Sequence, residues 1–169
     1  MAIYKNKSFV DDKWRMLADG EGVPASGNVI FTLDWWQAEK QIFDGSKVPL
    51  GLRLAPSADL HALADDVSRF SLIVLEFPKF GDGRAFSLAR LLRERYGFTG
   101  ELRAAGEILA DQIQPMLRCG FDSFEISDEK TEKALRERRI PGVTHFYQPG
   151  GAAEAPAGHR PWAREIKAV

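Results

Sequence analysis

Among 169 residues there is one cysteine, Cys119. A single thiol excludes an internal disulfide, a CxxC redox pair and a cysteine-ligated iron–sulfur cluster built by one chain. Long apolar runs are missing as well. Nothing approaches the roughly 18 residues a membrane span requires, and the opening MAIYKNKSFVDDKW has no apolar signal core, so no membrane association and a cytoplasmic location are expected. Nor is there an excess of charge of one sign. The 23 lysines and arginines stand against 24 aspartates and glutamates, which removes a global field for nucleic acid or anionic lipid. Any anion site must be local.

Cofactor motifs are equally scarce. His61, His145 and His159 lack metal-ligand spacing, so no metal site is expected. The stretch FGDGRA has two glycines before a helix, yet it is neither a GxGxxG fingerprint nor a Walker loop and reads as a tight turn. No resident cofactor is expected. Cys119, at a helix end, reads as a small packed residue rather than a nucleophile, and Trp35-Trp36 as anchors of the first helix.

What is present is a repeating alternation. From Asn28 onward, short apolar runs precede segments of helical spacing: VIFTL then DWWQAEKQIF, PLGLRLA then SADLHALADDVSRF, SLIVLEF then GRAFSLARLLRERYG, GELRAA then GEILADQIQPMLRCG, FDSFEI then SDEKTEKALRERR. Five such units predict an α/β protein with a mainly parallel sheet covered on both faces by helices, an open sheet or a partial barrel, the open sheet being favoured. LIVLE and ELRAA are expected as adjacent parallel strands. Cap chemistry supports the starts: Asp34 with Gln37 as a capping box, Ser57 after Pro56, and Ser127 before Asp128-Glu129. Pro115 predicts a kink or break in the fourth helix. A turn at Asp11-Asp12 predicts a hairpin over 8–18, within a single domain spanning 1–147. Residues 148–169, rich in Gly, Pro and Ala, are expected to form a loose tail.

Each apolar run contains or ends in a charge: Asp34, Arg53, Glu76, Arg103, Glu125. Parallel strands are ordinarily near-continuous hydrophobic runs, and ligands of α/β proteins bind where the strands end. The sequence therefore nominates Glu76, Lys79, Asp82, Arg84, Arg103 and Arg53 for binding an anion or a partner, with Glu76, Asp82, Arg84 and Arg103 forming one polar cluster. The competing reading is that strand ends simply meet water and the arginines make structural ion pairs.

The stretch LEFPKFGDGRAFSLARLLRERYGFTGELRAAGEILADQI, followed by RCGFDSFEI, resembles the signature region of the bacterial family called domain of unknown function 934. Members are commonly labelled oxidoreductases of sulfite reduction, because their gene neighbours that of the sulfite reductase haemoprotein. The resemblance implies a role in assimilatory sulfur metabolism, between sulfate and cysteine, and supplies no catalytic residues. The expectation is an accessory protein that acts with the haemoprotein in assembly or electron supply. The FPKFGDGR edge, and the terminal RPWAREIKAV with it, would be the contacts. The alternative is a small oxidoreductase or oxyanion-binding enzyme that takes sulfite through Arg53, Arg84 and Arg103.

Overall fold

Short runs of branched and aromatic residues become strands here because a two-residue alternation lets each bury one row of side chains under helices and turn the other row inward. The computed structural model describes residues 2–18, 21–22, 24–43 and 48–140. Eight strands follow the chain: β1 (Ala2–Lys5), β2 (Ser8–Val10), β3 (Trp14–Met16), β4 (Asn28–Thr32), β5 (Leu50–Leu54), β6 (Phe70–Phe77), β7 (Glu101–Gly106) and β8 (Ser123–Ile126). Helices α1 (Leu33–Glu39), α2 (Arg84–Glu94), α3 (Ile113–Arg118) and α4 (Glu129–Arg136) follow β4, β6, β7 and β8.

The strands form one sheet in the order β2-β1-β8-β7-β6-β5-β4-β3. Neighbours from β3 through β8 pair in parallel, and β6 and β7 are adjacent and parallel as expected of LIVLE and ELRAA. The expectation of a mainly parallel sheet of about five strands is nonetheless corrected to a mixed sheet of eight. The difference lies at the N-terminus, where β1 joins β8 antiparallel and β2 returns antiparallel to β1. The hairpin expected over 8–18 is likewise corrected. Its turn is Asn6-Lys7, both with positive φ, whereas 11–13 link β2 to β3 at opposite ends of the strand order.

That link dictates the shape. Outer strands of a flat eight-stranded sheet would lie about 34 Å apart. Val10 and Trp14, in the two outer strands, are joined by four peptide units that reach at most about 14 Å. The sheet must curl, and it does so as an open half-barrel. Trp36 of α1, Ala85, Ala89 and Leu92 of α2, Ile113 and Met116 of α3, and Leu135 of α4 all enter one core with Leu52, Leu54, Ile73, Leu75, Leu102 and Phe124 of the strands. The helices thus cover the convex face, not both faces. The concave face carries a smaller cluster of Ile30, Leu72, Val74 and Ala105 with Trp14 against it. Gly51 makes room there, since a Cβ would sit 2.9 Å from Ile30 and 3.0 Å from Trp14.

Several helix starts differ from the sequence expectation. Thr32, not Asp34, caps α1, and Asp128, not Ser127, caps α4. After β5 the expected helix is two short 3-10 turns, Leu60–Leu63 and Val67–Arg69, the first capped by Asp59 rather than Ser57. Short carboxylates favour local bonding to the backbone over a helix interior: Asp59 accepts the His61 N–H at 2.9 Å, while Asp66, between the turns, is held from α1 by Trp36 Nε1 and by Lys40 just beyond it, at 3.0 Å each. α3 begins only at Ile113, so Pro115 lies in its first turn, where a missing N–H breaks nothing. The 148–169 tail lies outside the described residues.

Candidate site on the concave face and carboxyl edge

The alternation that buries Leu102 and Ala104 under the helices turns Glu101, Arg103 and Ala105 inward. Register aligns Arg53 with Val74, Val74 with Arg103, Arg103 with Ser123 and Ser123 with Lys5. Two residues further along their strands stand Glu76, Ala105 and Glu125. Glu76 is therefore an inward-facing residue within β6, not a residue past its end.

Arg103 is only 2% exposed and is held from three sides. Its NH1 donates to both carboxylate oxygens of Asp12 at 3.1 and 3.0 Å, and its Nε and NH2 donate to Glu101 Oε1 at 3.2 and 2.9 Å. Glu125 Oε1 lies 3.9 Å away. Glu101 also accepts from Lys5 Nζ at 2.5 Å and Ser123 Oγ at 2.6 Å. Arg53 Nε donates to Glu76 Oε1 at 2.7 Å, and its NH1 stands 3.7 Å from Glu125 Oε2. Glu125 thus lies between the two arginines.

The two glutamates, Glu101 half-buried and Glu125 buried, respond oppositely. Burial pushes the Glu125 carboxyl up, an effect that the charges of Arg53 and Arg103 only partly offset. Burial also acts to raise Glu101, but the hydrogen bonds from Lys5 and Ser123 and the charge of Arg103 outweigh it and hold that carboxyl below its ordinary range.

At the carboxyl ends of β4, β5 and β6 the network opens into a cleft of about 480 Å³, where Arg53 and Glu76 meet Met16, Asp34, Ser57 and Asp59. This is the edge at which α/β sheets bind ligands. Three carboxylates against one guanidinium give it a negative lip.

Asp82 and Arg84 stand apart from the network. Arg84 donates to Asp82 through Nε at 2.9 Å and NH2 at 2.7 Å, and these bonds pull the Asp82 carboxyl down to about 2. The single cluster of Glu76, Asp82, Arg84 and Arg103 is thereby corrected: Asp82 and Arg84 satisfy each other locally. Lys79 is exposed in the same loop. The loop itself is strapped to the segment after β7, because Phe80 N–H donates to Glu107 at 2.9 Å and Gln112 donates to the Phe80 carbonyl at 3.1 Å. Phe80 is left 48% exposed on this fixed backbone.

Residues 51–158 match the family model described as "Bacterial protein of unknown function (DUF934)". The chain belongs to this family. The matched region begins at β5, so in this DUF934 chain Arg53, Glu76, Glu101, Arg103 and Glu125 lie inside it, while Lys5 and Asp12, which complete the network, lie outside. No curated protein shows significant similarity to the chain.

Sequence reasoning therefore nominates Arg53, Glu76 and Arg103, which the structure links through Glu125, together with Lys79, Asp82 and Arg84, which it does not. It misses Lys5, Asp12, Glu101 and Ser123 as members, and it names Glu125 only as a strand-end charge, not as a site residue. The legible signal was the spacing Glu101-x-Arg103 and Ser123-x-Glu125, a two-residue period of polar groups on otherwise apolar strands. Asp12 had no such signal, since its partner is 91 residues away. Cys119 is half-buried, and burial pushes its thiol up, away from a reactive thiolate. Among the described residues no group of three or more His, Cys, Asp or Glu side chains could hold a metal ion.

Proposed function

We propose that this chain is a non-catalytic accessory protein of assimilatory sulfite reduction, acting in the cytoplasm with the sulfite reductase haemoprotein in its assembly or electron supply. The pathway rests on the family resemblance. The observation that carries a docking role is the loop from Pro78 to Gly83, whose backbone is fixed by Glu107 and Gln112 while Phe80 and Lys79 face outward. A rigid, half-exposed aromatic beside a cation is the composition of an interface anchor, because little conformational entropy is lost on binding. The oxyanion-enzyme reading has less support at this edge: Arg53, Arg84 and Arg103 are each engaged by carboxylates, and the cleft lip is negative.

Co-purification of the full-length chain with the haemoprotein tests the proposal. Phe80→Ala should weaken binding at least about tenfold, as for a central aromatic anchor, with unchanged circular dichroism. Failure of the unsubstituted chain to bind would remove the proposed partner. Binding that tolerates Phe80→Ala and Lys79→Ala together would move the contact elsewhere.

A further inference from the structure

On the far side of the sheet, the β1–β2 hairpin and the end of α4 enclose a cleft of about 330 Å³ lined by Tyr4, Lys7, Ser8, Phe9, Arg136 and Arg138, with Leu135. Three cations and no carboxylate line it. Arg136 is fixed there by two hydrogen bonds to Glu132, at 2.9 and 2.7 Å, and lies 4.3 Å over the Phe9 ring. Lys7 and Arg138 make no ion pair among the described residues.

The backbone beneath those two cations is unusual. Lys7 has φ 61° and Arg138 φ 55°. Lys7 is the second residue of the Asn6-Lys7 hairpin turn, a position at which glycine is favoured. Arg138 follows α4 where its N–H reaches the Leu135 carbonyl and that of Arg139 reaches Ala134, again a position that glycine ordinarily fills. Both segments therefore place a long cation at the cost of a left-handed conformation, and both cations border one cleft. Attraction to the negative end of α4 accounts for Arg136 and Arg138, but not for Lys7 on the hairpin.

Tyr4 supplies an independent observation. The residue as a whole is only 5% exposed and lines this cleft, and its hydroxyl, which makes no hydrogen bond among the described residues, is not sealed from solvent. Burial raises its phenol, opposed by the charge of Arg138, so it stays a neutral donor.

We infer that this cleft is a binding site for a doubly charged oxyanion group, phosphate- or sulfate-like, held by Lys7 and Arg138 with the Tyr4 hydroxyl as a neutral donor, while Arg136, engaged by Glu132, forms the wall beside them. Tetrahedral oxyanions suit it because they accept several charge-assisted hydrogen bonds at once. The inference does not depend on the proposed partner or pathway.

Titration calorimetry of the full-length chain with inorganic phosphate, sulfate and phenyl phosphate at constant ionic strength tests it. Saturable binding of the dianions, but not of chloride, is expected. Lys7→Asn and Arg138→Asn remove the charges while keeping a residue that tolerates positive φ. Each should weaken binding about tenfold, the loss of one charge-assisted bond, and Tyr4→Phe should weaken it less. A stronger response to phenyl phosphate than to phosphate assigns the group to an organic ligand, and equal responses assign it to the free ion. No saturable binding at millimolar dianion, or an affinity unchanged from the unsubstituted chain in both Asn variants, overturns the site.

Discussion

Arg103 sits where an unpaired charge would be most costly, and three carboxylates meet it: Glu101 on its own strand, Glu125 on the next, and Asp12, 91 residues away. Arg103→Ala leaves Asp12, Glu101 and Glu125 facing one another with only Lys5 and Arg53 near, and breaking buried pairs of this kind costs about 3–5 kcal/mol. Urea denaturation should show a loss of that order; a loss below about 1 kcal/mol would mean the network is hydrated and slack. The two glutamates beside it carry opposite pH signs. Glu101 is depressed in the folded state, so its stabilisation is present above its unfolded value near 4.5 and is lost as pH falls through the lower folded value. Glu125 is raised, so its contribution is complete below its unfolded value and is lost as pH rises through the higher folded one. At pH 7, therefore, Glu101→Gln should lower Tm and Glu125→Gln should leave it unchanged or raise it. The reverse order in a thermal scan would show that Glu125, not Glu101, balances Arg103.

Among the elements, the join between β6 and β7 shows how strand and loop depend on one another. Gly106 ends β7 with φ 106°, and a Cβ there would stand 2.3 Å from the Phe77 carbonyl oxygen, which also accepts the Glu107 N–H at 2.8 Å. Gly106→Ala must distort that contact as well as adopt a strained φ, so a loss of about 2 kcal/mol or more is expected, measurable in the same urea titration. A neutral substitution would show that the end of β7 relaxes freely. Units with a long apolar run and a long amphipathic helix, such as β6-α2-β7, were legible in the sequence because periodicity is a local signal. The segment SADLHALADDVSRF had helical spacing but too many short carboxylates, and became two 3-10 turns. The inward charges were legible as anomalies, whereas their partners were not: nothing within a few residues of Asp12 or Lys5 announces a contact with Arg103 or Glu101.

At the scale of the whole molecule, the first 16 residues decide whether the sheet curls. β1 covers the edge of β8, β2 and β3 are joined by residues 11–13, and from this stretch Lys5 reaches Glu101 while Asp12 reaches Arg103. All of it lies outside the region that the family model matches. A chain lacking residues 1–13 would keep every matched residue, yet it would expose β8 as a sheet edge and remove one partner from buried Arg103 and one from half-buried Glu101. Exposed edges invite pairing between chains, and lost partners near a core cost several kcal/mol, a large part of a typical domain's 5–15 kcal/mol. The truncated chain should therefore lose its cooperative thermal transition or elute as aggregates, with helix content partly retained in the far-ultraviolet spectrum. Asp12→Ala alone, which leaves β1 and β2 in place, should lower Tm while the chain keeps its elution volume and a cooperative transition. If the truncated chain instead melts sharply at the original temperature, the matched region folds by itself and the N-terminal stretch is an addition to the sheet rather than the part that curls it.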